Sequence, residues 1–207
     1  MTRPPAPAGQ GRRPLFILLL LFAAPLAGAF WLYYGSSWRP SLRTNHGKLI
    51  EPMVTLPALA LPLALASNSA AAPGPGASGT VFRGRWTLLV VGRGDTGCDA
   101  DCRATLVYAR QTWLSLAQLT PRVQRVLLAG TGCCDRAYLQ REHAGLIALD
   151  ASGSGAQPLL HSIPEPRQRT IFVVDPLGNL MMRYDVRQDP KGLREDFKKL
   201  LELSHIG

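Results

Sequence analysis

The sequence predicts an α/β domain, a central mixed sheet flanked by helices, behind one N-terminal transmembrane helix. Three observations predict it. Leu15 to Trp38 runs 24 residues without a charge, enough for a bilayer core that needs about 20. The stretch Arg83 to Leu119 (RGRWTLLVVGRGDTGCDADCRATLVYARQTWLSLAQL) passes from an apolar run through a glycine-bearing loop to Cys98 and Cys102, then into a helical pattern. Thr170 to Tyr184 sets two apolar runs on either side of Asp175-Pro176-Leu177-Gly178-Asn179, the pattern of an antiparallel hairpin.

The charge is unevenly placed. Of a formal net +9, residues 1–51 carry six Lys/Arg against one acid and residues 52–207 carry 17 against 13. About half of the basic excess therefore flanks the apolar segment, which points to lipid headgroups. Sparse aromatics and the lack of any RNA- or DNA-binding motif argue against nucleic acid. Trp31, Tyr33, Tyr34 and Trp38 cluster at the far end of the apolar run, where amphipathic rings sit at the membrane interface. Ala27-Gly28-Ala29 resembles a signal-peptide cleavage site, but the run continues past it into the aromatic belt, so an anchor is the reading adopted. The expected organisation is a cytoplasmic tail over 1–14 and the anchor over 15–38. A stalk, an extended segment and a flexible loop fill 39–80, and the domain occupies 81–207.

Trp38 to Met53 reads as a polar, irregular stalk with a turn at Asn45-His46-Gly47. Val54 to Ala66 is apolar but, with Pro57 and Pro62 and only 13 residues, too short to span a membrane. It reads as an extended strand region packing on the domain, and Ala70 to Gly79 as a small-residue loop. Trp86 to Val91 is the first core strand. Cys102, Leu106, Ala109, Trp113, Leu116 and Thr120 then share one helical face up to Pro121. Val123 to Ala129 is the next strand, parallel to the first by the rule for a β-α-β crossover. A short helix over Arg136 to His143, a strand at Ile147 to Leu149 and a loop from Ala151 to Pro158 follow. After the hairpin, Asp189 as N-cap and Pro190 at the first position open a closing helix. Its inward stripe is Leu193, Phe197, Leu200, Leu201 and Ser204. β-α-β, hairpin, closing helix is the thioredoxin-like order.

Cys98 and Cys102 are the expected site. A cysteine at a helix N-terminus meets the positive end of the helix, which favours thiolate. Thiolate is both the nucleophile of disulfide exchange and a soft ligand for Cu(I). The intervening Asp99, Ala100 and Asp101 include two acids whose charge opposes thiolate formation. A structural disulfide is the plainer reading of the pair. Cys133 and Cys134 follow the next parallel strand, so they sit at the same sheet edge as the Cys98 loop. They read either as auxiliary thiols or as small buried residues.

GRWTLLVVG before the CxxxC, with VVDPLGNLMMRY about 70 residues on, resembles the SCO family of cytochrome c oxidase assembly proteins, in a divergent bacterial membrane-anchored branch. The resemblance covers about residues 38–207. It implies a thioredoxin-like domain on the outer face of a respiratory membrane. The alanine-, arginine- and proline-rich composition suggests a bacterial source, hence the inner membrane with the domain in the periplasm. There it would bind copper or exchange disulfides for the oxidase subunit that carries the binuclear copper centre. It also implies a copper-ligating His just before the first hairpin strand, where this chain has Gln168 and Arg169. His161, eight residues earlier, is the candidate substitute ligand beside Cys98 and Cys102. His143 and His205 have weaker claims, and His46 lies in the stalk. No proline directly precedes the Thr170 strand, which the resemblance also implies. Three functions follow as expectations: copper delivery, membrane-tethered thiol–disulfide exchange, or a non-catalytic scaffold.

Overall fold

The computed structural model of the chain describes residues 11–35, 44–64, 81–92, 99–130, 135–164, 169–189 and 191–207. Two units emerge, residues 1–44 and residues 45–207. In the first, α1 (Arg13–Gly35) is a single helix with no charge after its first residue, Pro25 inside it and no buried residue. It is long and apolar enough to cross a membrane. Phe30, Tyr33 and Tyr34 pack ring to ring near its C-terminal end.

The second unit is built on six strands: β1 (Lys48–Thr55), β2 (Trp86–Val91), β3 (Val123–Ala129), β4 (Leu146–Asp150), β5 (Thr170–Val174) and β6 (Asn179–Asp185). Their order in the sheet is β1-β6-β5-β2-β3-β4. β2, β3 and β4 are parallel, with Trp86 opposite Val123 and Arg125 opposite Leu146. β5 runs antiparallel to β2 and to β6, and β1 antiparallel to β6. The hairpin turn is held by Asp175, whose carboxylate accepts from the amides of Leu177 and Asn179 and from the Asn179 side chain. Gly178 takes the left-handed conformation that a side chain disfavours there (φ 88°).

Alternation along the strands gives the sheet two apolar faces. Leu88, Val90, Leu127, Ile171, Val173 and Met182 lie on one. That face is covered by α2 (Ala100–Ser115), α3 (Arg136–Glu142) and α5 (Gly192–Leu203). Phe197 of α5 meets Trp86 edge to face at 5.9 Å. Leu89, Val126, Leu128, Phe172 and Val174 make the other face. Leu56, Leu61, Val81, Phe82 and α4 (Gln157–Ser162) cover it. The α/β, thioredoxin-like arrangement read from the sequence is thus the arrangement found.

Three expectations are corrected. Lys48 to Met53 is no stalk: it is most of β1, an edge strand whose side chains are largely exposed, so its sequence carries no apolar alternation. Pro52 sits in its irregular stretch between Leu49 and Val54, where the ladder needs no donor. Val54 and Thr55 continue that strand, and the described residues after them (56–64) pack on the domain as the extended segment expected, with Leu56 and Leu61 buried. Beyond them Leu63 bridges Leu149, and the Ala64 amide donates to Ala148. The helix after Cys102 ends at Ser115, and Thr120 and Pro121 lie in a following 3-10 segment (Ala117–Arg122) that Ala117 enters at φ 50°. Ala151 to Pro158 is not all loop, because Ser154–Ala156 forms a 3-10 turn and Gln157 starts α4, with Pro158 in its first turn.

The closing helix begins two residues later than its cap suggested. Asp189 still accepts from the amides of Lys191 and Gly192, while Pro190 is outside the described residues. Leu193, Phe197 and Leu201 are buried as the stripe requires. Asp196, next to Phe197, is a buried acid on the same helix. Its Oδ2 accepts from the His46 amide at 2.6 Å, the Gly47 amide at 3.0 Å and the Tyr184 hydroxyl at 2.8 Å. The turn that leads into β1 is thereby docked on α5. The His46 ring sits 3.5 Å from Asp189 and 3.6 Å from Glu195.

Candidate functional site

β2 ends at Val91, and the Gly92 amide still donates to Leu128 of β3 at 2.7 Å. The chain then reaches Asp99 and turns into α2. Asp99 is the N-cap, extended at φ −65° and ψ 177°, and its Oδ1 accepts from the Cys102 amide at 2.7 Å. Cys102 is therefore in the first turn of α2, half-buried, and packs against the apolar face that α2 covers. Thr105, one turn on, donates its hydroxyl to the Asp101 carbonyl at 2.7 Å and is itself buried.

The second acid of the CDADC segment is also engaged. Arg169, directly before β5, donates from Nε to Asp101 Oδ1 at 2.6 Å, with Nη2 2.5 Å from the same oxygen. Both side chains are more than half-buried, at 34% and 25% exposure. Arg169 holds a left-handed backbone (φ 62°) that non-glycine residues adopt rarely, and its carbonyl accepts from the Val186 amide. Strand directions explain the meeting. β5 is antiparallel to β2, with Ile171 opposite Val90, so the start of β5 lies at the edge where β2 ends. Beyond Arg169, Asp185 closes β6 and is held below the usual carboxylate range chiefly by its hydrogen bond from Arg187. The charges at this edge thus alternate in sign: Asp101, Arg169, Asp185, Arg187.

The two acids between the cysteines are therefore not a bare negative field. Asp99 is bound to a helix amide, and Asp101 is matched by a guanidinium. Sequence reasoning named all three side chains but missed the pairing. Its signal was an arginine in the slot where a metal-binding imidazole was expected.

Cys98, Cys133, Cys134 and Gln168 lie outside the described residues. β2 and β3 are adjacent and parallel, and Gly92 and Gly130 close them at one sheet edge. His161 is exposed in the last turn of α4. That helix covers the sheet face opposite the one against which Cys102 packs. His143 is buried behind α3, its Nε2 3.2 Å from the Tyr138 hydroxyl. His205 is exposed in the C-terminal segment. Among the described residues no three His, Cys, Asp or Glu side chains converge as a metal site. Arg169 has no lone pair to offer Cu(I), and with Cys98 outside the described residues no three-ligand copper site is formed among those that are described.

Comparison with solved structures places the domain among thioredoxin-like folds. An apo Sco1 from Thermus thermophilus shares 18% identity over 79% of this chain and 98% of that one, with a TM-score of 0.51. A copper-bound ScoI from Arabidopsis thaliana shares 18% over 59% and 88%, at 0.48. A thiol:disulfide interchange protein from Bacteroides sp. shares 16% over 77% and 91%, at 0.42. At these identities the likeness is one of fold. No curated protein matches the chain in sequence. A family model described as the transmembrane-like, thioredoxin-like, C-terminal domain matches residues 86–204, more than half of the chain, and the chain belongs to that family.

Proposed function

We propose that the chain is a membrane-tethered, SCO-like thiol–disulfide exchange protein that acts through Cys98 and Cys102. Its partner is the oxidase subunit that carries the binuclear copper centre, and the site of action is the periplasmic face of a bacterial inner membrane. Residues 15–38 anchor it there, with residues 1–14 on the cytoplasmic side. The length and apolarity of α1 and the aromatic rings near its C-terminal end support the anchor. The observation that carries the chemistry is the ion pair between Arg169 and Asp101. Arg169 neutralises the acid next to Cys102 that would otherwise oppose thiolate, the nucleophile of exchange, and it has no lone pair to offer Cu(I).

The chemistry balances as follows in the reducing direction. The Cys98 thiolate attacks one sulfur of a partner disulfide. A mixed disulfide forms, the partner S–S bond breaks, and the departing partner thiolate takes up a proton. Cys102, having lost its own proton, attacks Cys98 Sγ and releases the second partner thiolate. Two electrons pass from this chain's dithiol to the partner, and the reverse sequence oxidises it.

Copper delivery is the second reading, with Cu(I) as cargo on Cys98, Cys102 and His161. It draws on the fold shared with Thermus Sco1. One pair of measurements on the full chain in detergent separates the two. Glutathione buffers should interconvert the dithiol and the disulfide, and Cys98→Ser should abolish the conversion. In parallel, Cu(I) titration against a chelator of moderate affinity should show no competition that depends on His161. Competition that weakens on His161→Ala overturns the exchange reading in favour of copper. A pair that never equilibrates with glutathione removes the exchange reading outright.

A further inference from the structure

The charged groups around α2 show a division of labour that the exchange reading leaves unused. Asp99 is committed to the Cys102 amide. Arg103, the residue after Cys102, turns its guanidinium over the Tyr138 ring of α3, 5.2 Å from the centroid. Arg187 is held by Asp185 through two hydrogen bonds from its side chain. Arg169 instead reaches back 68 residues to the acid that immediately precedes Cys102. It does so from a left-handed backbone position, a conformation that surrounding structure must enforce.

We infer that Arg169 and Asp101 are positioning residues that set the reduction potential of the Cys98–Cys102 pair by balancing each other's charge next to the first turn of α2. This rests on the exchange reading and goes beyond it, since it assigns opposite effects to two residues that touch neither partner nor disulfide. The reduced pair carries charge whenever a thiol ionises, and the disulfide carries none. A cation beside it stabilises the reduced form and makes the disulfide more oxidising. An anion does the reverse. In the intact pair the two influences offset, because two guanidinium nitrogens converge on one carboxylate oxygen.

Removing one partner at a time exposes the other. Asp101→Asn leaves Arg169 as an unmatched cation and should raise the potential. Arg169→Gln leaves Asp101 as an unmatched anion and should lower it. Each change should move the equilibrium constant with glutathione by about tenfold, which for a two-electron couple is about 30 mV. The double variant should return close to the wild type, and Arg169→Lys should retain most of the wild-type value.

The experiment is a glutathione titration of the full chain in detergent near pH 8, where a thiol with a pKa of about 8.5 is partly ionised. Thiols are quantified by alkylation and folding is checked by circular dichroism. Opposite shifts in the two single variants, cancelling in the double, are the expected result. Loss of a merely structural salt bridge would move both singles in the same direction. Shifts of like sign, or both below about twofold, overturn the inference while the exchange reading stands. A wild-type pair that does not equilibrate at all overturns the exchange reading first.

Discussion

His143 is 2% exposed, and it offers the sharpest test of how the core of this domain is built. Its ring closes the end of α3 against Tyr138, with centroids 5.3 Å apart. Nδ1 is buried with no hydrogen-bond partner among the described residues. Burial, and then the charges of Arg125 and Arg110, push the imidazole down from 6.5 to about 4. Arg125 is itself buried, stacks on Trp113 at 4.7 Å and donates to the Ala144 carbonyl at 2.6 Å. Burial and then the charge of Arg110 lower its own pKa to about 10. A second cation there would face a guanidinium that has no ion-pair partner among the described residues. The sign follows from linkage: the unfolded chain takes up the proton below 6.5, and the folded one refuses it until about 4. Stability is therefore lost as pH falls through that window and is independent of His143 above and below it. A displacement from 6.5 to about 4, at about 1.4 kcal/mol per unit, gives a loss of about 3 kcal/mol by pH 4. The assay is urea unfolding of the full chain in detergent, followed by circular dichroism between pH 7 and pH 4, with His143→Phe beside the wild type. Carboxylates titrate in both proteins, so the quantity of interest is the difference in slope. Parallel curves would refute the reasoning and place the imidazole in contact with water.

Three further outcomes are expected. Asp99→Ala removes the acceptor of the Cys102 amide and should cost about 1 kcal/mol in urea unfolding; no loss would mean that α2 is capped by another group. Gly47→Ala would drive a Cβ into the Tyr184 ring, and Gly192→Ala one into the His46 Cβ. Each should destabilise by about 2 kcal/mol, with amide exchange in β1 accelerated, and unchanged exchange would show that the turn before β1 is not docked on α5. Arg122→Ala should free the end of the chain, because its guanidinium binds the carbonyls of Leu201, Ser204, Ile206 and Gly207; amide exchange over 200–207 reads that release.

The parts of the fold that were legible in the sequence are those whose burial is periodic. Trp86 to Val91 and Ile171 to Val174 are buried on both faces, so they appear as continuous apolar runs. Leu106, Ala109 and Leu116 repeat at helical spacing and are buried. β1 was not legible, because an edge strand with mostly exposed side chains need not alternate. Nor was α4 legible: six residues with Pro158 near the start are too few to display a period. The long-range polar contacts have no periodic signature; for Arg169 the sequence showed only an arginine in an unexpected slot, not its partner. Asp196 and His46 are 150 residues apart, and Arg169 and Asp101 are 68 apart. A sequence shows charges; the pairs among them are decided by which strand ends share an edge.

That point decides how the CDADC segment should be understood. Counted from the sequence, two acids flank the thiols and argue for an ordinary, weakly reactive pair. In the fold, the first acid satisfies a helix amide that would otherwise attract negative charge, so the helix end and Asp99 partly offset each other. The second is matched by Arg169 across the junction between α2 and β5. Both acids therefore help order the first turn of α2, and neither leaves an unmatched full charge next to Cys102. Ordering that turn would matter to the proposed exchange, whose second step requires Cys102 to reach Cys98 Sγ along one line of attack. An acid-rich CxxxC is compatible with redox work when each carboxylate is bound in this way. Without Arg169, Asp101 would be an unmatched anion beside the Cys102 thiol, which the proposed exchange requires to ionise.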